Sequence, residues 1–226
     1  MSDVAVGAIL LGGGRGERLS GPDPKAFAIL DGRSLLERAV TAVESCPRVE
    51  GFVLVAPEGW EGRARTMVGP RSGLVEVVGG GATRQDSVRM GLEALPESFD
   101  VVVCHDVARP IAPTALFEAV LDALVGADGA VPSVPLTDTV KRVDDGLVAE
   151  TVDRDGLVVV QTPQAFRRAA LVEAHRAAEA DGFSGTDDAS LLERAGFRVA
   201  VVPGDPANIK ITRPEDLSLA SALIRG

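Results

Sequence analysis

The chain has 226 residues, 46% hydrophobic and 25% charged, which suffices for one sizeable α/β domain and excludes general disorder. Its net charge of −10 gives no electrostatic support for sequence-independent binding to a nucleic-acid backbone or an anionic membrane, so anionic ligands must be met by local clusters of cations. Its two cysteines, Cys46 and Cys104, lie far apart and argue against a disulfide framework or a zinc site, and no apolar run approaches the ~20 residues of a membrane span.

The N-terminus "MSDVAVGAILL" carries an acidic residue and lacks the basic region of a secretory signal, so the expectation is a cytoplasmic protein. Short β-branched runs follow at 4–11, 51–56, 74–78, 100–106 and 129–135. Between them, Leu35 to Glu44, Asp86 to Leu95 and Thr114 to Val125 space apolar residues at three and four, as helices do. This alternation predicts α/β architecture, a mostly parallel sheet with helices on both faces and a site at the C-terminal strand ends.

The rhythm changes over 136–160, "LTDTVKRVDDGLVAETVDRDGLVVV", where Asp-Asp-Gly and Arg-Asp-Gly are hairpin turn signals. This segment is read as a β-arm projecting from a single domain of residues 1–226. Isolated strands bury no core, so the arm is expected to pack against a second subunit. Helices are expected at 167–180 and 186–196, the latter capped by Thr186 or Asp187 and followed by Gly196. "FRVAVVP" and "NIKIT" read as short strands, and a closing helix begins near Pro214.

Residues 10–27, "LLGGGRGERLSGPDPKAF", raise the first question of chemistry. Gly12, Gly14 and Gly16 suggest a dinucleotide turn, but Pro22 and Pro24 exclude a helix close behind it. The P-loop pattern fails as well, because no Gly-Lys-Ser/Thr follows the glycines. Two readings stay open: backbone N–H groups that cradle a triphosphate with Arg18 and Lys25 as fixed cations, or a surface loop with unrelated charges. The 23 basic residues include only three lysines, Lys25, Lys141 and Lys210, which favours a specific use for each.

A second cluster, "GGGATRQDSV" at 79–88, allows a close backbone approach to a base or ribose, with Asp86 or Ser87 as helix cap or base contact. A third, "CHDVARP" at 104–110, ends a hydrophobic strand. There Asp106 suits Mg²⁺ bound to phosphates and Arg109 an anionic substrate, while His105 reads as structural. With only two histidines in the chain, a histidine metal site or catalytic triad is not expected.

The ordered set "GGGRGERL…PKAF", "GGGATRQDSV", "HDVARP", "TDTVKR", "TVDRDGL", "QTPQAF", "TDDASLLE" and "NIKITRPEDL" resembles the 2-C-methyl-D-erythritol 4-phosphate cytidylyltransferase family from about Val4 to Ala220. The resemblance implies a three-layer, Rossmann-like nucleotidyltransferase fold of GT-A-like type. It also implies transfer of CMP from CTP to methylerythritol 4-phosphate, with Mg²⁺, in the non-mevalonate route to isoprenoids. It assigns transition-state stabilisation to Arg18 and Lys25, and nucleotide binding to the loop of Leu11, Gly12, Gly13, Gly14 and Gly16, whose glycines hold the triphosphate. Gly80, Gly81 and Ser87 match the cytosine and ribose pocket. Arg154 and Lys210 match residues that position the acceptor phosphate, and Asp106, Arg109, Thr139 and Thr186 match the rest of that pocket.

In that family the arm embraces a neighbouring subunit, so Thr139 and Arg154 are expected to act across a homodimer interface. Leu11, Gly12 and Gly13 stand where the family usually has small alanines, and Ala207 stands where it often has an acidic residue. The partners expected are therefore CTP and a sugar-alcohol phosphate, with no nucleic acid and no membrane. Two alternatives remain at this level: a ribitol 5-phosphate cytidylyltransferase, and a nucleotide-binding regulator that has lost turnover.

Overall fold

The computed structural model describes residues 4–13 and 23–225. From the N-terminus the chain forms β1 (Val6–Leu11), a short hairpin of β2 (Ile29–Leu30) and β3 (Arg33–Ser34), α1 (Leu35–Glu44), β4 (Val49–Ala56), α2 (Glu61–Val68), β5 (Leu74–Gly79), α3 (Arg84–Ala94) and β6 (Val101–Asp106). There follow α4 (Thr114–Asp122), β7 (Gly129–Pro135), β8 (Val140–Asp144), β9 (Leu147–Val152), β10 (Val158–Val160), β11 (Gln164–Arg167), α5 (Arg168–Ala180), α6 (Asp188–Arg194), β12 (Val199–Pro203) and α7 (Pro214–Arg225).

Strands β6, β1, β4 and β5 lie side by side and parallel. β11 inserts antiparallel between β6 and β7, β12 adds to β7 in parallel, and β10 pairs antiparallel with the far end of β7. The strands are apolar on both faces because helices cover both. Ala8 and Leu10 of β1 pack with α1 and α4, whereas Ile9 and Leu11 pack with α3 and α5. The period of two thus sends alternate residues into two cores separated by the sheet, giving three layers. This is the mostly parallel α/β architecture the alternation predicts.

Several local expectations are corrected. Residues Asn208–Thr212 are extended loop rather than a strand; Ile211 N–H donates to Ala108 C=O, tying this loop to the turn after β6 instead of to a sheet edge. α2 has no counterpart in the apolar periodicity, since only Ala64 and Val68 of its residues are buried. α3 is capped by Thr83, not by Asp86 or Ser87: Asp86 N–H donates to Thr83 Oγ1, and Thr83 N–H donates back to the Asp86 carboxylate. Asp187 caps α6, accepting from Ser190 N–H.

Within 136–160, β8 and β9 form a separate two-stranded sheet whose turn uses Asp145 and Gly146, both at positive φ. The Asp-Asp-Gly signal is therefore a primed hairpin turn. The last three residues of that segment return to the main sheet as β10.

Candidate active site

The strand ends coincide. Leu11 at the end of β1 pairs with Val55 near the end of β4 and with Asp106 at the end of β6, and Gly79 ends β5 beside Ala56. The chain segments leaving these ends build the walls of a cavity of about 1170 Å³. Leu11, Gly12 and Gly13 form one lip, Gly80, Gly81 and Ser87 the other, and Lys25 faces the same space.

The lips meet closely enough that a side chain at either glycine would crowd the other. A Cβ on Gly80 would stand 3.0 Å from Gly13 Cα and 3.2 Å from Ala56 C=O, and one on Gly13 would stand 3.2 Å from Ser87 Oγ. Ser87 Oγ accepts from Gly81 N–H at 3.1 Å and donates to Thr83 C=O at 2.9 Å, so its role here is to fix the glycine turn. Gly14, Gly16 and Arg18 lie outside the described residues.

A second cavity of about 590 Å³ adjoins the first and takes in Arg109, Gln164 and Thr186. Three residues line both cavities: Arg84, Asp106 and Lys210. Lys210 Nζ lies 2.6 Å from Asp106 Oδ2, and Arg84 Nε lies 3.3 Å from Asp106 Oδ1. Burial pushes the Asp106 carboxyl up, but the Arg84 guanidinium and the Lys210 ammonium outweigh it and hold the group well below the ordinary carboxylate range. It is ionised at neutral pH.

Arg84 Nη1 also donates to Asp188 Oδ2 at 2.7 Å. The other Asp188 oxygen meets His175 Nε2 at 3.1 Å. Asp188 is buried, and the Arg84 guanidinium together with the hydrogen bond to His175 holds its carboxyl below the ordinary carboxylate range in spite of that burial. Arg109 spends Nη1 on Asn208 C=O at 2.7 Å and Nη2 on Val160 C=O at 3.3 Å, so its guanidinium braces the second cavity as well as charging it.

His105 is structural, as expected: its ring is fully buried between Thr162 Oγ1 and Arg109 C=O, and burial lowers its pKa to about 4. Both cysteines are buried and free. Thr139 and Arg154 are exposed at the base of the β8–β9 hairpin and line neither cavity; Arg154 Nη1 donates to Thr137 C=O.

The residues also permit a divalent cation. Asp106 presents a carboxylate to both cavities, and Arg84 and Lys210 occupy only part of its four lone-pair positions. Among the described residues there is no group of three or more His, Cys, Asp or Glu suited to a metal. That donor set suits Mg²⁺ held mainly by phosphates and water with one carboxylate, and does not suit an all-protein cage.

Sequence reading passed over Arg84 and Asp188. A weak signal existed for Arg84, because a cation at the first position of a helix opposes the helix dipole and calls for compensation. Nothing local pointed to Asp188, 104 residues further along the chain.

The family model for IspD, 2-C-methyl-D-erythritol 4-phosphate cytidylyltransferase, matches residues 6–226. A 2-C-methyl-D-erythritol 4-phosphate cytidylyltransferase of Streptomyces coelicolor is 42% identical over 99% of this chain and 86% of its own length. A bifunctional IspD/IspF enzyme of Nitratidesulfovibrio vulgaris is 48% identical over 95% of this chain, which spans 57% of that longer relative. The crystal structure of the cytidylyltransferase from Thermus thermophilus superposes with a TM-score of 0.79 and 36% identity, covering 99% of each chain.

Proposed function

We propose, because the chain belongs to the 2-C-methyl-D-erythritol 4-phosphate cytidylyltransferase family, that it transfers CMP from CTP to 2-C-methyl-D-erythritol 4-phosphate, releasing pyrophosphate. The observation that carries this reading is the pair of adjoining cavities with a common wall of Arg84, Asp106 and Lys210. A nucleotidyl transfer needs two phosphorylated substrates brought phosphate to phosphate, and this wall is where they would meet.

In this mechanism CTP occupies the larger cavity, with its base against the platform that the two touching glycine lips form. The acceptor phosphate enters from the smaller cavity and meets Lys210. One of its oxygens attacks the α-phosphorus as the bond from that phosphorus to the bridging oxygen breaks, and the electron pair leaves with pyrophosphate. Lys25 and Arg18 supply positive charge where negative charge grows. Lys210 holds the attacking phosphate against electrostatic repulsion from the nucleotide. Asp106 is the residue that would hold a Mg²⁺ ion on the protein side, and such an ion would supply charge neutralisation for the triphosphate.

The site residues Thr139 and Arg154 fit this reading as contributions from the arm of a neighbouring subunit in a homodimer. Exposure of Val143, Leu147 and Val148 on the β8–β9 hairpin supports such a contact. The net charge supports the absence of a nucleic-acid partner. Among the described residues no helix is long and apolar enough to cross a membrane, which accords with a cytoplasmic location.

The test is pyrophosphate release from CTP and Mg²⁺ with either methylerythritol 4-phosphate or ribitol 5-phosphate. Preferred turnover of the first is expected. Preferred turnover of the second, or nucleotide binding without release, would overturn this reading.

A further inference from the structure

We propose that Arg84 is a positioning residue which, anchored by Asp188, fixes the Asp106 carboxylate in the wall between the cavities and thereby sets where Lys210 meets the acceptor phosphate. This deepens the two-substrate reading above and rests on it.

The geometry has three parts. First, Asp106 is held from two sides, by Lys210 Nζ at 2.6 Å and by Arg84 Nε at 3.3 Å. Without the second hold, the carboxylate is free to turn fully onto the ammonium and compete with the acceptor phosphate for it. Second, Arg84 is itself pinned. Its backbone opens α3 just after the Thr83–Asp86 capping box, and its Nη1 donates to Asp188 Oδ2 at 2.7 Å. Third, Asp188 has no access to substrate: its side chain is 1% exposed, it lines neither cavity, and its second oxygen is taken by His175 of α5.

The fork of Arg84 therefore joins α3, α6 and the end of β6 into one strut. Its remaining nitrogen, Nη2, is buried without a hydrogen-bond partner among the described residues. The guanidinium is oriented to reach two carboxylates, at the expense of its own third donor. A lysine ammonium is a point charge without a planar fork, and cannot reproduce that reach.

Arg84→Lys is the direct test, and Asp188→Asn acts on Arg84 from a position remote from substrate. In the full-length protein, with CTP, Mg²⁺ and methylerythritol 4-phosphate, Arg84→Lys is expected to lower kcat/KM for the acceptor by about tenfold or more while leaving the KM for CTP within about threefold. Asp188→Asn is expected to do the same by about fivefold, and the double variant to lose about as much as Arg84→Lys alone, because both act through one strut.

A purely structural ion pair predicts otherwise: parallel damage to both substrates. That result overturns the proposal, as do additive losses in the double variant, which would show that the two residues do not act through one strut, and retention of acceptor kcat/KM within about twofold in the folded variants. Should Arg84→Lys not fold, Asp188→Asn decides by the same split between the two substrates. A wild-type protein that releases no pyrophosphate with this acceptor sinks the functional reading itself, whereas active wild type with unaffected variants sinks only the role of Arg84.

Discussion

Gly13 and Gly80, from opposite lips of the larger cavity, approach so closely that a methyl group on Gly80 would lie 3.0 Å from Gly13 Cα. The obstacle is backbone, which cannot swing away as a side chain can. Gly80→Ala is therefore expected to push the lips apart and raise the Kd for CTP by about tenfold, a ~1.4 kcal/mol loss. Calorimetric titration with CTP reads this directly, and an unchanged Kd would show that the approach of the two lips does not shape the nucleotide site.

Lys25 occupies a one-turn 3-10 helix at the cavity edge, with Ala26 and Phe27 buried beneath it. The neighbouring apolar residues fix the backbone of a residue that lines the larger cavity. Lys25→Ala is expected to lower kcat by about 10² or more, the scale of removing one preorganised stabiliser of transition-state charge, with a much smaller change in CTP affinity. Single-turnover kinetics beside equilibrium binding separates the two effects; a full loss of affinity with kcat intact at saturation would assign Lys25 to ground-state binding alone.

His105 gives a pH dependence whose sign is fixed. Burial lowers its folded pKa to about 4, below the ordinary value of about 6.5, so the unfolded chain takes up a proton that the folded chain refuses. Its contribution is present above the unfolded pKa and is lost as pH falls from about 6.5 toward 4. Urea unfolding at pH 7 and pH 5 is expected to show a drop of about 1–2 kcal/mol, diminished in His105→Gln. Equal pH slopes in the two proteins would remove His105 as the cause. Asp106 and Asp188, whose folded values are depressed, add their losses only at more acid pH, as they become protonated.

The β8–β9 hairpin exposes Leu147 at 75% and Val148 at 63%, too much apolar surface on a two-stranded sheet to be explained by its own pairing. Leu147→Glu is expected to shift the protein toward monomer in light scattering and to lower turnover with it, because Thr139 and Arg154 would leave the partner's site. A wild-type monomer at assay concentrations with full activity would remove the arm from the catalytic assembly.

Elements whose cause is local are legible in the amino-acid order. The strands at β1, β4 and β6 are near-continuous apolar runs because helices cover both sheet faces, and the Asp-Asp-Gly turn follows from the need for positive φ at Asp145 and Gly146. The glycine clusters, Lys25, Asp106, Arg109 and Lys210 stand out by residue type and by position after strands. Where competing local solutions exist, sequence reading chooses among them less well. Thr83, Asp86 and Ser87 can all cap a helix, and the reciprocal pair of Thr83 with Asp86 prevails because it satisfies donors in both directions. Likewise, "NIKIT" alternates as a strand does, but the Asn208 segment is held to the β6 turn by Arg109 and Ile211 instead of finding a sheet edge.

Periodicity, turn chemistry and ordered motifs are written in neighbouring residues, and they carry the layered α/β class, the family and most of the charged groups around the two cavities. Which of those charges work together emerges only from packing in three dimensions. The hydrogen bonds from Arg84 to Asp106 and to Asp188 cross 22 and 104 residues of chain, and the carboxylate shared between Arg84 and Lys210 exists only where β6, α3 and the Asn208 loop converge. Electrostatic energy depends on distance in space and on burial, neither of which has a local signature along the chain.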